Sequence, residues 1–178
     1  GETPPMPSAL EFARSQQARF LEELKSLLRI PSISTLPEHA GDVRHAAESL
    51  AKELERIGLE HVRVIETSGH PLVYGDWLHA KGKPTCLAYG HYDVQPPDPL
   101  EEWISPPFEP TERNGNLYAR GAVDDKGQMY AHVKALESLF QSSGGSLPIN
   151  VRVLIEGEEE VGGEGIAQFL REHPEQLK

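Results

Sequence analysis

Apolar runs of strand length alternate with helical patterns along most of this chain, and this alternation restricts the fold more than any other feature of the sequence. Strand-like segments cover residues 61–66, 71–80, 84–90, 115–122 and 148–157, and helical patterns cover residues 8–30, 41–58, 125–140 and 162–173. Alternation of this kind is typical of sheets whose faces are covered by helices. We therefore predict an α/β protein with three layers, α/β/α, around a mostly parallel or mixed sheet.

Single residues predict three details of these elements. Pro31 is expected to end the helix over residues 8–30, because proline cannot continue a helix. Asp42 is expected to cap the start of the next helix, and Gly58 to end it. The only cysteine, Cys86, lies in an apolar run and is expected to be a buried small hydrophobic residue rather than a reactive thiol.

Composition excludes several classes of partner. The 178 residues are enough for one domain, and the net charge of −11 argues against nucleic acid as a ligand. No apolar run is long enough to cross a membrane, so no membrane partner is expected. One cysteine cannot form an intrachain disulfide, and we expect a cytoplasmic protein. The Pro-rich residues 1–8 are expected to form a flexible tail, with the folded domain over residues 9–178.

Acidic and imidazole side chains follow predicted strand ends at three places. The first holds His91 and Asp93, the second Asp124 and Asp125, and the third is the glutamate-rich run over residues 156–160. Each has an ordinary explanation when it is taken alone: a hydrogen-bonded loop histidine, a helix cap or a solvated acidic turn. If the three strands are neighbours in one sheet, however, their carboxyl ends converge on one crevice.

A crevice that gathers these groups favours a metal ion. The nearby basic residues, Arg120 and Lys126, are too few to neutralise the carboxylates, and such a cluster is costly unless cations bind there. Imidazole together with carboxylates suits zinc, manganese or cobalt better than calcium. Residues i and i+2 of an extended chain point the same way, so Asp93 can stand behind His91 and orient its ring.

Three motifs carry a resemblance to a known family. They are H-x-D at residues 91–93, G-x-x-D-x-K-G at residues 121–127 and the glutamate pair at residues 159–160. This combination resembles the co-catalytic zinc metallopeptidases, a family that contains aminoacylases, glutamate carboxypeptidases, diaminopimelate desuccinylase and carnosinase-like dipeptidases. The resemblance runs from about residue 30 to about residue 165, and the segment "HYDVQPPDP" is most similar to the dipeptidase branch.

The resemblance implies a role for each matching residue. It implies two divalent metal ions, zinc above manganese or cobalt, with His91 on one metal, Glu160 on the other and Asp124 bridging both. It further implies that Asp93 orients His91 and that Glu159 is the general base. Residues 158–160 are three consecutive glutamates, so a register that uses Glu158 and Glu159 instead remains open. The glycine pair at residues 162–163 favours the first register.

The implied reaction is hydrolysis of the amide bond of dipeptides or short peptides by an activated water. An N-acyl-amino-acid deacylase or carboxypeptidase of the same family is the alternative, and a non-catalytic metal-binding or assembly module is an alternative of another class. Each metal would have two protein ligands here, whereas catalytic zinc usually has about three. The resemblance therefore implies that residues 9–178 are the N-terminal portion of a catalytic domain, inactive alone, and that the full-length protein is a homodimer.

Overall fold

The computed structural model describes all 178 residues and contains six strands. They are β1 (Glu60–Ile65), β2 (Leu72–Trp77), β3 (Thr85–His91), β4 (Thr111–Arg113), β5 (Asn116–Tyr118) and β6 (Asn150–Glu156). Four of them form one sheet in the order β1-β2-β6-β3, in which β3 and β6 are parallel and the other pairs antiparallel. The predicted mixed sheet is confirmed. Of the segment predicted to be strand-like over residues 115–122, only β5 is a strand, and it forms a separate hairpin with β4.

Helices cover both faces of the sheet. They are α1 (Ala9–Ser15), α2 (Gln17–Leu28), α3 (Ala40–Ile57), α4 (Lys126–Ser143) and α5 (Gly165–Glu172). Helices α3 and α4 pack on the face that presents Val73, Val153 and Ile155, and Phe169 of α5 packs against Leu72 on the other face. The three layers therefore follow from alternate apolar residues of β2 and β6 pointing to opposite sides. None of the helices combines the length and the apolar character that a membrane span requires.

The helix boundaries confirm one predicted end and correct two details. Gly58 ends α3 with a φ of +119°, a conformation that glycine adopts readily. The helix predicted over residues 8–30 is divided at Gln16 into α1 and α2. Asp42 is not the cap of α3, because a 3-10 turn that starts at Pro37 leads directly into the helix. Asp42 lies in the first turn, where its carboxylate contacts the ring of His39 (Oδ2 to Nδ1, 2.8 Å).

The expectation that Cys86 is buried is wrong. Strand β3 is the last strand of the sheet and pairs only with β6, so one of its edges has no neighbouring strand. Cys86 is exposed, and Leu87 and Tyr89 on the same strand are 44% and 46% exposed. An apolar run of this length is equally compatible with a central strand and an edge strand, and only the tertiary arrangement separates them.

Two cationic side chains hold the helical layer together. Lys126, at the start of α4, is fully buried, and its ammonium group donates to the carbonyl groups of Leu27 (3.0 Å) and Ile30 (2.8 Å). Burial lowers the pKa of Lys126 to about 7. Lys134, also on α4, pairs with Glu137 at 3.0 Å and belongs to a larger cluster of charges between α2, α3 and α4. The other members of that cluster are Arg19, Glu23, Glu53 and Arg56.

Candidate metal centre

His91 is the last residue of β3, and its ring is held between two groups of carboxylates. Its Nδ1 donates to Asp93, lying 3.0 Å from the carbonyl oxygen and 3.2 Å from Oδ1. Its Nε2 faces the other way, 3.1 Å from Oδ1 of Asp124 and 3.7 Å from Oε2 of Glu159. Burial works to lower the pKa of His91, but the hydrogen bond and the charge of Asp93 raise it to about 9. Asp93 thus lies behind the imidazole ring of His91, at the position predicted from the sequence.

Asp93 also connects the histidine loop to the glutamate-rich loop. Its carboxylate is fully buried and accepts hydrogen bonds from Ser34 Oγ (2.6 Å) and from the backbone N–H groups of Glu159 (3.3 Å) and Glu160 (3.0 Å). Burial alone would raise the pKa of Asp93, but the hydrogen bonds from His91, Ser34 and Glu160 lower it below its usual value. One ionised carboxylate therefore sets the positions of both loops.

Asp124 and Asp125 reach the site by a route that differs from the predicted one. Strand β5, which precedes them, is not part of the main sheet, so the expectation of three neighbouring strands is wrong for this segment. Helix α4 packs over β3 instead and brings its first residues to the end of that strand. Asp125 occupies the N-cap position of α4, but neither aspartate caps the helix with its side chain. Asp125 Oδ2 accepts from the backbone N–H of His91 (3.1 Å), and the 69%-exposed side chain of Asp124 faces the imidazole.

The three consecutive glutamates point in different directions. Glu160 lies beside the histidine, and its Oε2 accepts a hydrogen bond from Gln95 Nε2 at 2.8 Å. Glu158 turns to the opposite side, where its carboxylate accepts from Thr67 Oγ1 (3.3 Å) and covers Gly163. A Cβ atom on Gly163 would lie 1.9 Å from Glu158 Oε2, so this packing requires glycine. The geometry favours the register that uses Glu159 and Glu160 over the one that uses Glu158.

The resulting cluster satisfies the electrostatic conditions for a cation. Ligand atoms of His91, Asp124 and Glu160 all lie within 4.8 Å of one another. No lysine or arginine forms an ion pair with Asp124, Glu159 or Glu160. The pKa of Glu160 is raised by burial and by the charges of Asp124 and Glu159, although its bond to Gln95 opposes this. Uncompensated carboxylates beside an imidazole are the donor set that zinc, manganese or cobalt accepts.

The basic residues noted in the sequence do not enter this cluster. The Lys126 ammonium group is occupied by the backbone carbonyl groups of Leu27, in α2, and of Ile30, just after it. Arg120 lies over the ring of Trp103 at 5.3 Å and reaches the carbonyl oxygen of Pro96 at 3.4 Å. An apolar cleft of about 660 Å³ lies away from this cluster, between α1, α2 and α4.

Sequence reasoning missed two contributors to the site, Ser34 and Gln95. Ser34 comes from the loop after α2, far from the motifs, and nothing in its local sequence predicts the contact with Asp93. Gln95 could have been found, because His91, Asp93 and Gln95 stand at every second position and the H-x-D periodicity continues to it. Its amide group contacts Glu160 across 65 positions of the chain.

Fold and cluster together define an α/β domain with a candidate metal centre at the carboxyl ends of two parallel strands. The chain belongs to peptidase family M20/M25/M40, whose sequence profile matches residues 87–177. The family resemblance that the three motifs predicted is thereby confirmed.

Individual relatives agree with this assignment. The chain is 35% identical over 158 residues to a cysteinylglycine-S-conjugate dipeptidase of Corynebacterium striatum, covering 88% of this chain and 34% of that protein. It is 38% identical over 152 residues to a succinyl-diaminopimelate desuccinylase of Xylella fastidiosa (strain M23), and this match covers 82% of this chain and 37% of that protein. Human carnosine dipeptidase 1 shares the fold with a TM-score of 0.87 at 28% identity, over 97% of this chain and 40% of that one. The chain thus spans about a third to two fifths of the length of these relatives, and the match to a dipeptidase structure confirms the predicted fold class.

Proposed function

We propose that this chain supplies the general base and the first ligands of a two-metal centre that hydrolyses dipeptides. The observation that carries the proposal is the cluster of His91, Asp124 and Glu160 within 4.8 Å, with the Glu159 carboxylate beside it. Membership of a peptidase family supports the reaction class, because the same residues stand in the three motifs through which the chain resembles that family.

Each residue has a stated task in this proposal. His91 would hold one metal ion and Glu160 the other, and Asp124 would be the ligand that the two ions share. Zinc is the favoured ion, with manganese and cobalt as alternatives. When two divalent ions occupy such a centre, they polarise the scissile carbonyl group and lower the pKa of the attacking water.

Glu159 is the proton carrier of the reaction. Its side chain is 46% exposed, so a water molecule and a substrate can reach it. It forms no ion pair with lysine or arginine that would compete for its carboxylate. It therefore accepts the proton of the attacking water and delivers it to the leaving amine. Asp93 keeps the distance between Glu159 and His91 fixed, because its carboxylate bonds both to the ring of His91 and to the backbone N–H of Glu159.

Further protein ligands are needed for turnover. The set above gives each metal two ligands, fewer than the three that are usual for catalytic zinc. The relatives are more than twice as long as this chain, and we place the remaining ligands, the dimer interface and the recognition of the substrate carboxylate in their additional length. The 178 residues alone would then bind zinc weakly and catalyse no measurable hydrolysis.

A second candidate activity is removal of an N-acyl group from an amino acid. It is favoured by the 38% identity to a desuccinylase, which is as high as the identity to the dipeptidase. The segment at residues 91–99 supports dipeptidase activity instead, because it is most similar to the dipeptidase branch of the family. A panel of dipeptides and N-succinyl amino acids, assayed with the full-length enzyme, separates the two, since the preferred class has the higher kcat/KM.

The roles of the glutamates are tested by three isosteric substitutions in the full-length enzyme. Glu159→Gln is expected to reduce turnover by about 10²–10⁴-fold and to keep both metals, because it removes a base and no ligand. Glu160→Gln is expected to lose a metal, measured by elemental analysis after dialysis. Glu158→Gln is the matched control and should change neither quantity. Loss of a metal from Glu159→Gln but not from Glu160→Gln would contradict the assigned register.

A further inference from the structure

We propose that Gln95 is a positioning residue that fixes the orientation of the Glu160 carboxylate for metal binding, an inference that rests on the proposed function. The side-chain amide of Gln95 donates to Oε2 of Glu160 at 2.8 Å. Glu160 forms no other side-chain hydrogen bond. The carboxylate would otherwise turn towards water, because Asp124 and Glu159 repel it.

The backbone around Gln95 is fixed from both sides. Val94 is fully buried, and its N–H donates to the carbonyl group of Ser32 at 2.9 Å. Pro96 and Pro97 follow, and each proline ring restricts its own φ. The Cα atom of Gln95 is therefore held in place, and only its own side-chain rotamers have to be ordered to reach Glu160.

Gln95 itself is exposed, so its contribution to folding is small and its effect is local. The hydrogen bond to Oε2 fixes the plane of the Glu160 carboxylate and thereby the direction in which its free lone pairs point. Hydrogen-bond partners of this kind orient metal-ligating carboxylates, and their removal typically costs about 10–100-fold in metal affinity. We expect a loss of that size when the amide is removed.

The first test is a calorimetric titration of the full-length enzyme with Zn²⁺. Gln95→Met keeps the length of the side chain and removes the donor, and it should weaken the affinity by about 10–100-fold. Gln168→Met is the matched control, because Gln168 is an exposed glutamine that donates to a carboxylate, Glu172, at 3.0 Å, away from the centre. The control should change the affinity by less than about twofold. The metal-free variants should unfold at the same temperature as the original chain.

The second test separates positioning from a general structural effect. If Gln95 acts through Glu160, then Gln95→Met should change the affinity by less than about twofold when Glu160→Gln is already present. An unchanged affinity of Gln95→Met overturns the inference, and so does a loss that persists undiminished in the Glu160→Gln background. If His91→Ala leaves zinc affinity unchanged or the original full-length enzyme binds no zinc, the proposed centre itself fails, and the inference fails with it.

Discussion

The buried charge cluster between α2, α3 and α4 allows a quantitative prediction about stability. The Glu137 side chain is 2% exposed and accepts hydrogen bonds from Arg19 and Lys134. Burial works to raise the pKa of Glu137, but these partners lower it from 4.5 to about 2. A shift of this size corresponds to about 3 kcal/mol of folding free energy. Glu137→Gln should therefore reduce the free energy of unfolding at pH 7 by about 3 kcal/mol, because it removes the most buried carboxylate of the cluster, the one that Lys134, Arg19 and Arg56 share.

The pH dependence of this difference follows from the direction of the shift. A carboxylate whose pKa is lower in the folded state stabilises the protein fully above its unfolded pKa, and this contribution is lost as the pH falls through the folded pKa. The difference between the original chain and Glu137→Gln should be largest above about pH 5 and should shrink towards pH 2. Urea denaturation followed by circular dichroism at pH 7, 5, 4 and 3 measures it.

A surface ion pair provides the control for this experiment. Glu66 pairs with Arg44 at 2.7 Å, but both side chains are largely exposed, so Glu66→Gln should change the stability little. A pH-independent difference for Glu137→Gln would refute the electrostatic explanation and point to altered packing. A loss no larger than that of Glu66→Gln would show that the cluster contributes nothing through charge.

Three further predictions concern the centre. His91→Ala should weaken zinc binding in the full-length enzyme while the circular dichroism spectrum stays unchanged, and calorimetry that finds equal affinity would remove His91 from the site. The chain alone should show no chelator-sensitive hydrolysis of a dipeptide panel with added zinc or manganese. Hydrolysis at enzyme-like rates would show that the ligands in this chain are sufficient for catalysis. Gly127→Ala should lower both thermal stability and zinc affinity. The added Cβ atom would lie 2.1 Å from the backbone oxygen of Ala122 and would therefore displace the start of α4. An unchanged melting temperature would contradict this prediction.

The elements of the fold were predictable because their periodicity is local. The apolar stripe of α3, the buried strand β6 and the hairpin over β4 and β5 follow from spacing and turn residues that lie close together in the sequence. Exposure of Cys86 was not predictable, because it depends on the absence of a neighbouring strand at one edge of β3. The start of α3 was misplaced because the turn at Pro37 continues into the helix without a polar cap.

The arrangement of the candidate site residues was only partly predictable from the sequence. The H-x-D spacing alone indicates that Asp93 lies behind His91, because both belong to one extended segment. Asp124 arrives through packing of α4 on β3, an interaction between distant parts of the chain that no local pattern encodes. The side-chain directions of Glu158, Glu159 and Glu160 were not predictable from local sequence either. They depend on the distant Asp93, whose carboxylate accepts from the backbone N–H groups of Glu159 and Glu160.

The hydrogen bonds of Asp93 to both the histidine and the glutamate loop have a consequence for the motions of the molecule. Because the imidazole of His91 and the backbone of Glu159 and Glu160 are bonded to the same carboxylate, a displacement of Asp93 carries all of them in the same direction. The spacing between the imidazole ring and the backbone of the two glutamates should therefore change little when this part of the molecule shifts. Separation of the histidine loop from the glutamate loop requires that several hydrogen bonds break at once, so we expect such separations to be rare and concerted.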